Sequence, residues 1–124
     1  MTRTATCSCG QLTIRCTGEP AKVALCHCLA CQKRTGSPYG IAAFFRRDMV
    51  EAAGRAQRYT RPSDNGHEVT FHFCPDCGAT VYWEPQRKPD MIAVAVGAFA
   101  DPAFPPPSQE VNVECRHPWV QSLG

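Results

Sequence analysis

The 124-residue chain has no apolar run approaching the roughly 20 residues that a membrane-crossing helix needs; the longest, residues 91–100, is broken by Gly97. No membrane partner is expected. Its opening, Met1 to Thr6, is polar and runs straight into Cys7, without the apolar core of an export signal, which predicts a cytoplasmic protein. Long helices are missing too. Nine glycines and eleven prolines are scattered so that no stretch of about 12 residues keeps a helical period free of both. Strong charge of one sign is equally scarce: thirteen Lys and Arg against eleven Asp and Glu give a formal +2. The only dense basic groups, Lys33-Arg34 and Arg46-Arg47, are too small for the phosphate-neutralising face of a nucleic-acid binder, so no nucleic acid is expected.

Cysteine, by contrast, is abundant. Seven of the nine fall into clusters of two, three and two: Cys7 and Cys9 before Gly10; Cys26, Cys28 and Cys31; Cys74 and Cys77 before Gly78. In a reducing compartment, C-x-C and C-x-x-C spacings point to metal binding rather than disulfides, and an odd total leaves one thiol over from any disulfide set. One tetrahedral zinc takes four thiolates, so seven fill one site and leave a second with an open position. Seven thiolates and two zinc ions would bring the formal charge from +2 to −1.

The length suits a single domain over residues 1–124, and its class is mainly β. Gln11 to Cys16 alternates with Leu12 and Ile14 on one face. His67 to Phe73 alternates with Val69, Phe71 and Phe73 inward, which puts His72 outward toward solvent. Ala79 to Glu84, Met91 to Val96 and a short Val111 to Cys115 are further strand candidates, the second buried on both faces; Tyr39 to Phe45 and Ala56 to Thr60 are weaker ones. One helical turn is expected after Cys28, from Leu29 to Arg34, and the Pro102 to Pro107 stretch is expected to be an extended surface connection.

The outer clusters look like two halves of one site. In each, the last cysteine precedes a glycine that can take positive φ and fold the chain under a metal, and each adjoins a predicted strand. A zinc on Cys7, Cys9, Cys74 and Cys77 would staple the N-terminal segment to the sheet, a structural role. Cys26, Cys28 and Cys31 can wrap a second zinc without an obvious fourth ligand. His27 is flanked by two of these cysteines and should point elsewhere; His67, His72 or His117 could arrive through the fold, or water or substrate could take the place. Three thiolates make the metal a poor generator of hydroxide but a good host for a substrate thiol, whose thiolate could attack an aldehyde carbon.

Cys7-Ser8-Cys9-Gly10, then Cys26 to Cys31 followed by Lys33-Arg34-Thr35-Gly36, then Phe73-Cys74-Pro75-Asp76-Cys77-Gly78 form an ordered set. With Val96-Gly97-Ala98-Phe99, Asp101-Pro102 and the ending Arg116-His117-Pro118-Trp119, it resembles the glutathione-dependent formaldehyde-activating enzyme family, which also includes centromere protein V. The resemblance spans about residues 5 to 120. It implies a β-tent of small coiled antiparallel sheets stapled by zinc, with a structural ion on the outer four cysteines and a catalytic ion on Cys26, Cys28 and Cys31. It further implies a carbon-sulfur lyase activity that interconverts glutathione and formaldehyde with S-hydroxymethylglutathione.

A shared fold does not fix the small molecule, so a related thiol stays open. Glutathione carries two carboxylates and an amine, for which Lys33 and Arg34 are the well-placed cations in sequence, with Trp119 as a candidate pocket wall at the chain's end. Trp83 is expected in the core or pocket wall and Cys16 in the core; Cys115 is expected to be similar, with room for a site role. Two other functions compete with a lyase. A non-catalytic zinc module for a protein or small thiol is supported by the absence of any carboxylate beside Cys26 to Cys31, and a zinc ribbon is disfavoured by the two-three-two count.

Overall fold

The computed structural model describes residues 1–63 and 65–123. Strands β1 (Thr2–Thr6), β2 (Thr13–Thr17) and β5 (Val50–Ala53) form a three-stranded sheet in the order β1-β2-β5. The remaining strands are β3 (Lys22–Cys26), β4 (Gly40–Arg46), β6 (Gln57–Pro62), β7 (Glu68–Phe73), β8 (Thr80–Pro85), β9 (Met91–Ala95) and β10 (Gln109–Val111). They form a seven-stranded sheet in the order β10-β3-β4-β9-β8-β7-β6. The only α-helix among the described residues, α1 (Leu29–Thr35), follows Cys28 as expected; the other helical pieces are short 3-10 turns. The expected mainly β class with little helix is found. Within it, one sheet is larger than expected, and β10 runs parallel to β3 rather than antiparallel.

Period-two side-chain alternation explains how the large sheet serves two purposes. One face supplies Val23, Ala43, Phe45, Val81, Ile92 and Val94, which pack against Ala5, Leu12, Ile14 and Cys16 of the small sheet. This is the main core. The opposite face carries Ala42, Phe71, Trp83 and Ala93, with Phe44 and Val69 partly buried beside them. On β3, Lys22, Ala24 and Cys26 share that second face, as do Gly40, Ala42 and Phe44 on β4.

Several local expectations need correction. His72 is buried rather than solvent-facing: it stacks on Tyr82 and its Nε2 lies 2.6 Å from Glu84 Oε2, because the face assigned to solvent is itself covered. The last strand comes earlier than residues 111–115. It ends at Val111, where Asn112 takes left-handed backbone geometry and starts a 3-10 turn over Val113–Cys115. The proline stretch is not all surface: Phe104 is buried, stacked on Phe99 at 4.6 Å with Arg3 over its ring. Strands β1, β3 and β5 have no counterpart in the alternation seen in sequence.

Candidate metal centres and the cleft beside them

The Cys7 and Cys74 segments form matching turns. Cys7 N donates to Leu12 O and Gly10 N to Cys7 O; Cys74 N donates to Ala79 O and Gly78 N to Cys74 O. Gly10 and Gly78 have φ of 86° and 79°, the left-handed conformation that a side chain resists. The turns bring the sulfurs of Cys7, Cys9, Cys74 and Cys77 within 4.8 Å of one another. Cys7 and Cys9 sulfurs are 3.6 Å apart and those of Cys9 and Cys74 3.7 Å. A tetrahedron of zinc–sulfur bonds near 2.3 Å has an edge of about 3.8 Å, which these two separations match, so the donor set suits zinc.

The hydrogen bonds around these sulfurs favour thiolate. Leu12 N donates to Cys7 Sγ at 3.3 Å, Asp76 N to Cys74 Sγ at 3.3 Å, and Gln11 Nε2 to Cys74 Sγ at 3.0 Å. Burial pushes the Cys74 thiol up, but the Gln11 amide and the Cys77 and Asp76 N–H groups outweigh it and bring it to about 6. Cys9 runs the other way. The Gln11 N–H pulls it down, yet the sulfurs around it and burial carry it to about 11. Crowded thiols cannot all ionise on their own, and a divalent cation removes that conflict.

The second cluster is local. Cys26 ends β3, Cys28 is the N-cap of α1 with its sulfur accepting from Cys31 N at 3.3 Å, and Cys31 lies in the first helical turn. Their three sulfurs also lie within 4.8 Å of one another, and no fourth His, Cys, Asp or Glu atom joins them among the described residues. A Cys31 hydrogen bond, the Cys28 N–H and the Asn112 amide bring the Cys26 thiol down to about 5 against the effect of burial; Cys31 is pushed up by Cys26 and by burial. Three soft donors on one small loop suit zinc with a coordination position left over.

None of the four histidines takes that position. His27 points away from the sulfurs, fully buried, with Nε2 at 2.6 Å from Glu110 Oε2. His117 Nε2 meets Gln32 Oε1 at 2.8 Å, His72 is held by Glu84, and His67 is exposed on the cleft rim.

The three cysteines open onto a cleft of about 650 Å³, floored by the second face of the large sheet. Arg34 reaches into it from α1, its guanidinium 4.3 Å from the Trp83 ring centre and 5.6 Å from that of Phe71. Gly40 permits that approach, since a β-carbon there would stand 2.8 Å from Arg34 Nη2. Of the cations singled out in the sequence, only Arg34 lines the cleft. Lys33 is exposed on the far side of the helix, and Trp119 is 72% exposed, packed edge-on to His117. Trp83 is buried in the second cluster and lines the cleft floor, which fills both of its expected places. Cys16 is fully buried, and burial carries its thiol to about 12; Cys115 is part-buried at the cleft edge.

Sequence reasoning missed a basic wall. Lys22 and Lys88 both sit over the Phe44 ring, at 4.9 and 5.7 Å, and Arg61 and Arg87 complete the wall; none of the four forms an ion pair among the described residues. Lys88 beside it, with burial, brings Lys22 down to about 8. Asn112, whose Nδ2 donates to Cys26 Sγ at 3.2 Å, was missed as well. Only pairing register brings these residues together, so no local signal marks them.

A crystal structure of a Rhodobacter sphaeroides protein has the same fold, with a TM-score of 0.63 over 83% of this chain and 91% of that one, at 21% sequence identity. No curated protein matches the chain. Residues 2–117 match the model of the family described as glutathione-dependent formaldehyde-activating enzyme, and with nearly the whole length matched, the chain belongs to that family.

Proposed function

We propose that this protein is a zinc-dependent carbon-sulfur lyase acting on a thiol–aldehyde adduct, with glutathione and formaldehyde, or a related small thiol, as partners of S-hydroxymethylglutathione. One observation carries the reading: three cysteine sulfurs with no fourth protein ligand among the described residues open onto a cleft large enough for a small peptide thiol. Cys26, Cys28 and Cys31 are the residues that hold the catalytic ion. Cys7, Cys9, Cys74 and Cys77 hold the structural one. A zinc ion on three thiolates supplies positive charge that favours the ionised form of an incoming thiol.

The protein's own residues do the rest. Lys22 and Cys26 stand four residues apart on the cleft face of β3, about 13 Å along the strand. Glutathione carries its thiol on the central residue and a carboxylate at each end, and the long Lys22 side chain can reach back from that distance toward one of those carboxylates. Lys22, Lys88 and Arg61 offer charge to that carboxylate, Arg34 is fixed by its stacking on Trp83, and Trp83, Phe44 and Val69 keep water from the floor. In the adduct-forming direction a carbon–sulfur bond forms and the thiol proton ends on the former carbonyl oxygen; in reverse that hydroxyl proton returns to sulfur as the bond breaks.

A non-catalytic thiol-binding module has one observation in its favour: no carboxylate joins the three sulfurs among the described residues, and Glu110, next to the loop through the pairing of β10 with β3, is engaged by His27. Exchange of glutathione with formaldehyde, followed by NMR against an enzyme-free control, separates the two. Acceleration by protein carrying two zinc ions is expected, and the Lys22→Gln, Lys88→Gln double variant should raise KM about tenfold with kcat little changed, as lost uniform binding does. No acceleration over the control would favour the binding module.

A further inference from the structure

Beyond the three cysteines, the strap that follows β10 belongs to the thiolate site. Its attachment begins in the only parallel strand pair among the described residues, where Val111 is in register with Cys26 and Glu110 with Leu25. His27 ties the strap down twice, through His27 N to Val111 O at 3.1 Å and through its ring to Glu110. Beyond the site, Gln32 of α1 bridges the cysteine loop to the same strap: Nε2 donates to His27 O of the loop at 2.9 Å and to Cys115 O of the strap at 3.1 Å, while Oε1 meets His117.

Asn112 sits between these anchors. With φ 55° and ψ 44°, it is one of two non-glycine residues with positive φ among those described. Glycine is the residue that adopts this conformation most easily, and asparagine is among the few others that tolerate it. What asparagine adds is an amide, and Nδ2 donates to Cys26 Sγ at 3.2 Å. Cys7 and Cys28 receive backbone donors from their own loops, whereas the Asn112 donor reaches Cys26 from a segment 86 residues away in sequence. Such outer partners orient ligands and temper their charge, and their removal typically weakens a metal about 10- to 100-fold.

We propose that Asn112 is a positioning residue for the three-thiolate site: anchored by the strap, its side-chain amide holds Cys26 in ligating pose and so sets how tightly the catalytic metal is retained. This rests on the reading that Cys26, Cys28 and Cys31 hold a metal. It predicts that the C-terminal strap, and not the cysteine loop alone, decides metal retention.

The test uses the full chain loaded with cobalt, whose sulfur-to-metal absorption reports each site, and follows release to a chelator. Asn112→Gly keeps the left-handed backbone without the amide; Asn112→Asp keeps the shape but turns an oxygen toward the thiolate. Both should release one of the two metals about 10- to 100-fold more readily, Asp more than Gly, while release from the four-cysteine site stays at the wild-type level and certifies the fold. Wild-type retention in both variants would overturn the proposal. So would a defect confined to Asn112→Ala, because that would assign the residue a backbone role only. A wild-type chain that binds a single cobalt would instead remove the underlying two-site reading, a result visible before any variant is made.

Discussion

The two cysteine clusters use one ligand chemistry in opposite structural settings. The four-cysteine cluster draws Cys9 and Cys74 from positions 65 residues apart, and its buried members, Cys7 and Cys74, are part of the main core. The three-cysteine cluster comes from six consecutive residues at a strand–helix junction, part-buried along a cleft wall. A metal in the first closes a long loop between two sheets, so its binding energy becomes folding energy. A metal in the second orders only a short loop. It can therefore be lost, or exchange a ligand for substrate, without opening the core.

The largest effect that sharpens this contrast is on stability. Cys77 is exposed, so Cys77→Ser removes a metal ligand with almost no packing change. We expect a loss of about 5 kcal/mol or more, comparable with the whole stability of a domain, read as a collapse of the thermal transition together with zinc content. Cys28→Ser should lose one zinc, keep its cooperative transition, and reduce adduct exchange to the enzyme-free rate. A Cys28→Ser protein that retains two zinc ions, or a Cys77→Ser protein that melts like wild type, would erase the distinction between the two sites.

The contrast was visible in the sequence because metal ligands on tight turns form local patterns. Cys9-Gly10 and Cys77-Gly78 announce their turns, and Cys26 to Cys31 announces three ligands on one loop. Strands with a clean apolar alternation were equally legible, as Leu12 and Ile14 on β2 and Val69 and Phe71 on β7 illustrate. The edge strand β1 is polar and β3 is a short run with no alternation, so neither carries a signal of its own. The cleft wall was hidden for a different reason. Lys22, Arg61, Trp83 and Lys88 become neighbours only through the order β3-β4-β9-β8-β7-β6, while Lys33 and Trp119 drew notice by adjacency to motifs and lie outside the cleft.

A smaller effect probes the turns themselves. At Gly78 a β-carbon would meet nothing within 4 Å, so Gly78→Ala carries only the penalty of positive φ, about 1–2 kcal/mol. Chemical denaturation should show that loss with zinc content unchanged. Gly10→Ala should match it, since the two turns are alike; a much larger penalty at one of them would mean that they do not share the staple equally.

The smallest effect separates two histidine–carboxylate pairs, one on the strap beside the three-cysteine cluster and one on the large sheet. Glu110 is held below the usual carboxylate range by the His27 hydrogen bond, with burial opposing it; Glu84 is held low because His72 and Arg47 outweigh burial. Glu84 lies on the large sheet and not at either cluster, so Glu84→Gln should leave both metals in place. It should reduce stability at pH 7 by no more than about 1 kcal/mol, since the Glu84 side chain, 32% exposed, is screened by solvent. A depressed folded-state pKa contributes stability that is fully present above the unfolded value, near 4.3, and lost as pH falls through the folded one. The wild-type advantage in melting temperature should thus be constant at neutral pH and vanish on acidification below about pH 4. Acid also removes thiolate-bound metal, but from both proteins alike, so the difference between them isolates the carboxylate. Glu110→Gln should instead loosen the strap at the three-cysteine site and speed release of that metal alone; equal effects of the two substitutions on metal release would show that the strap gives the site no special support.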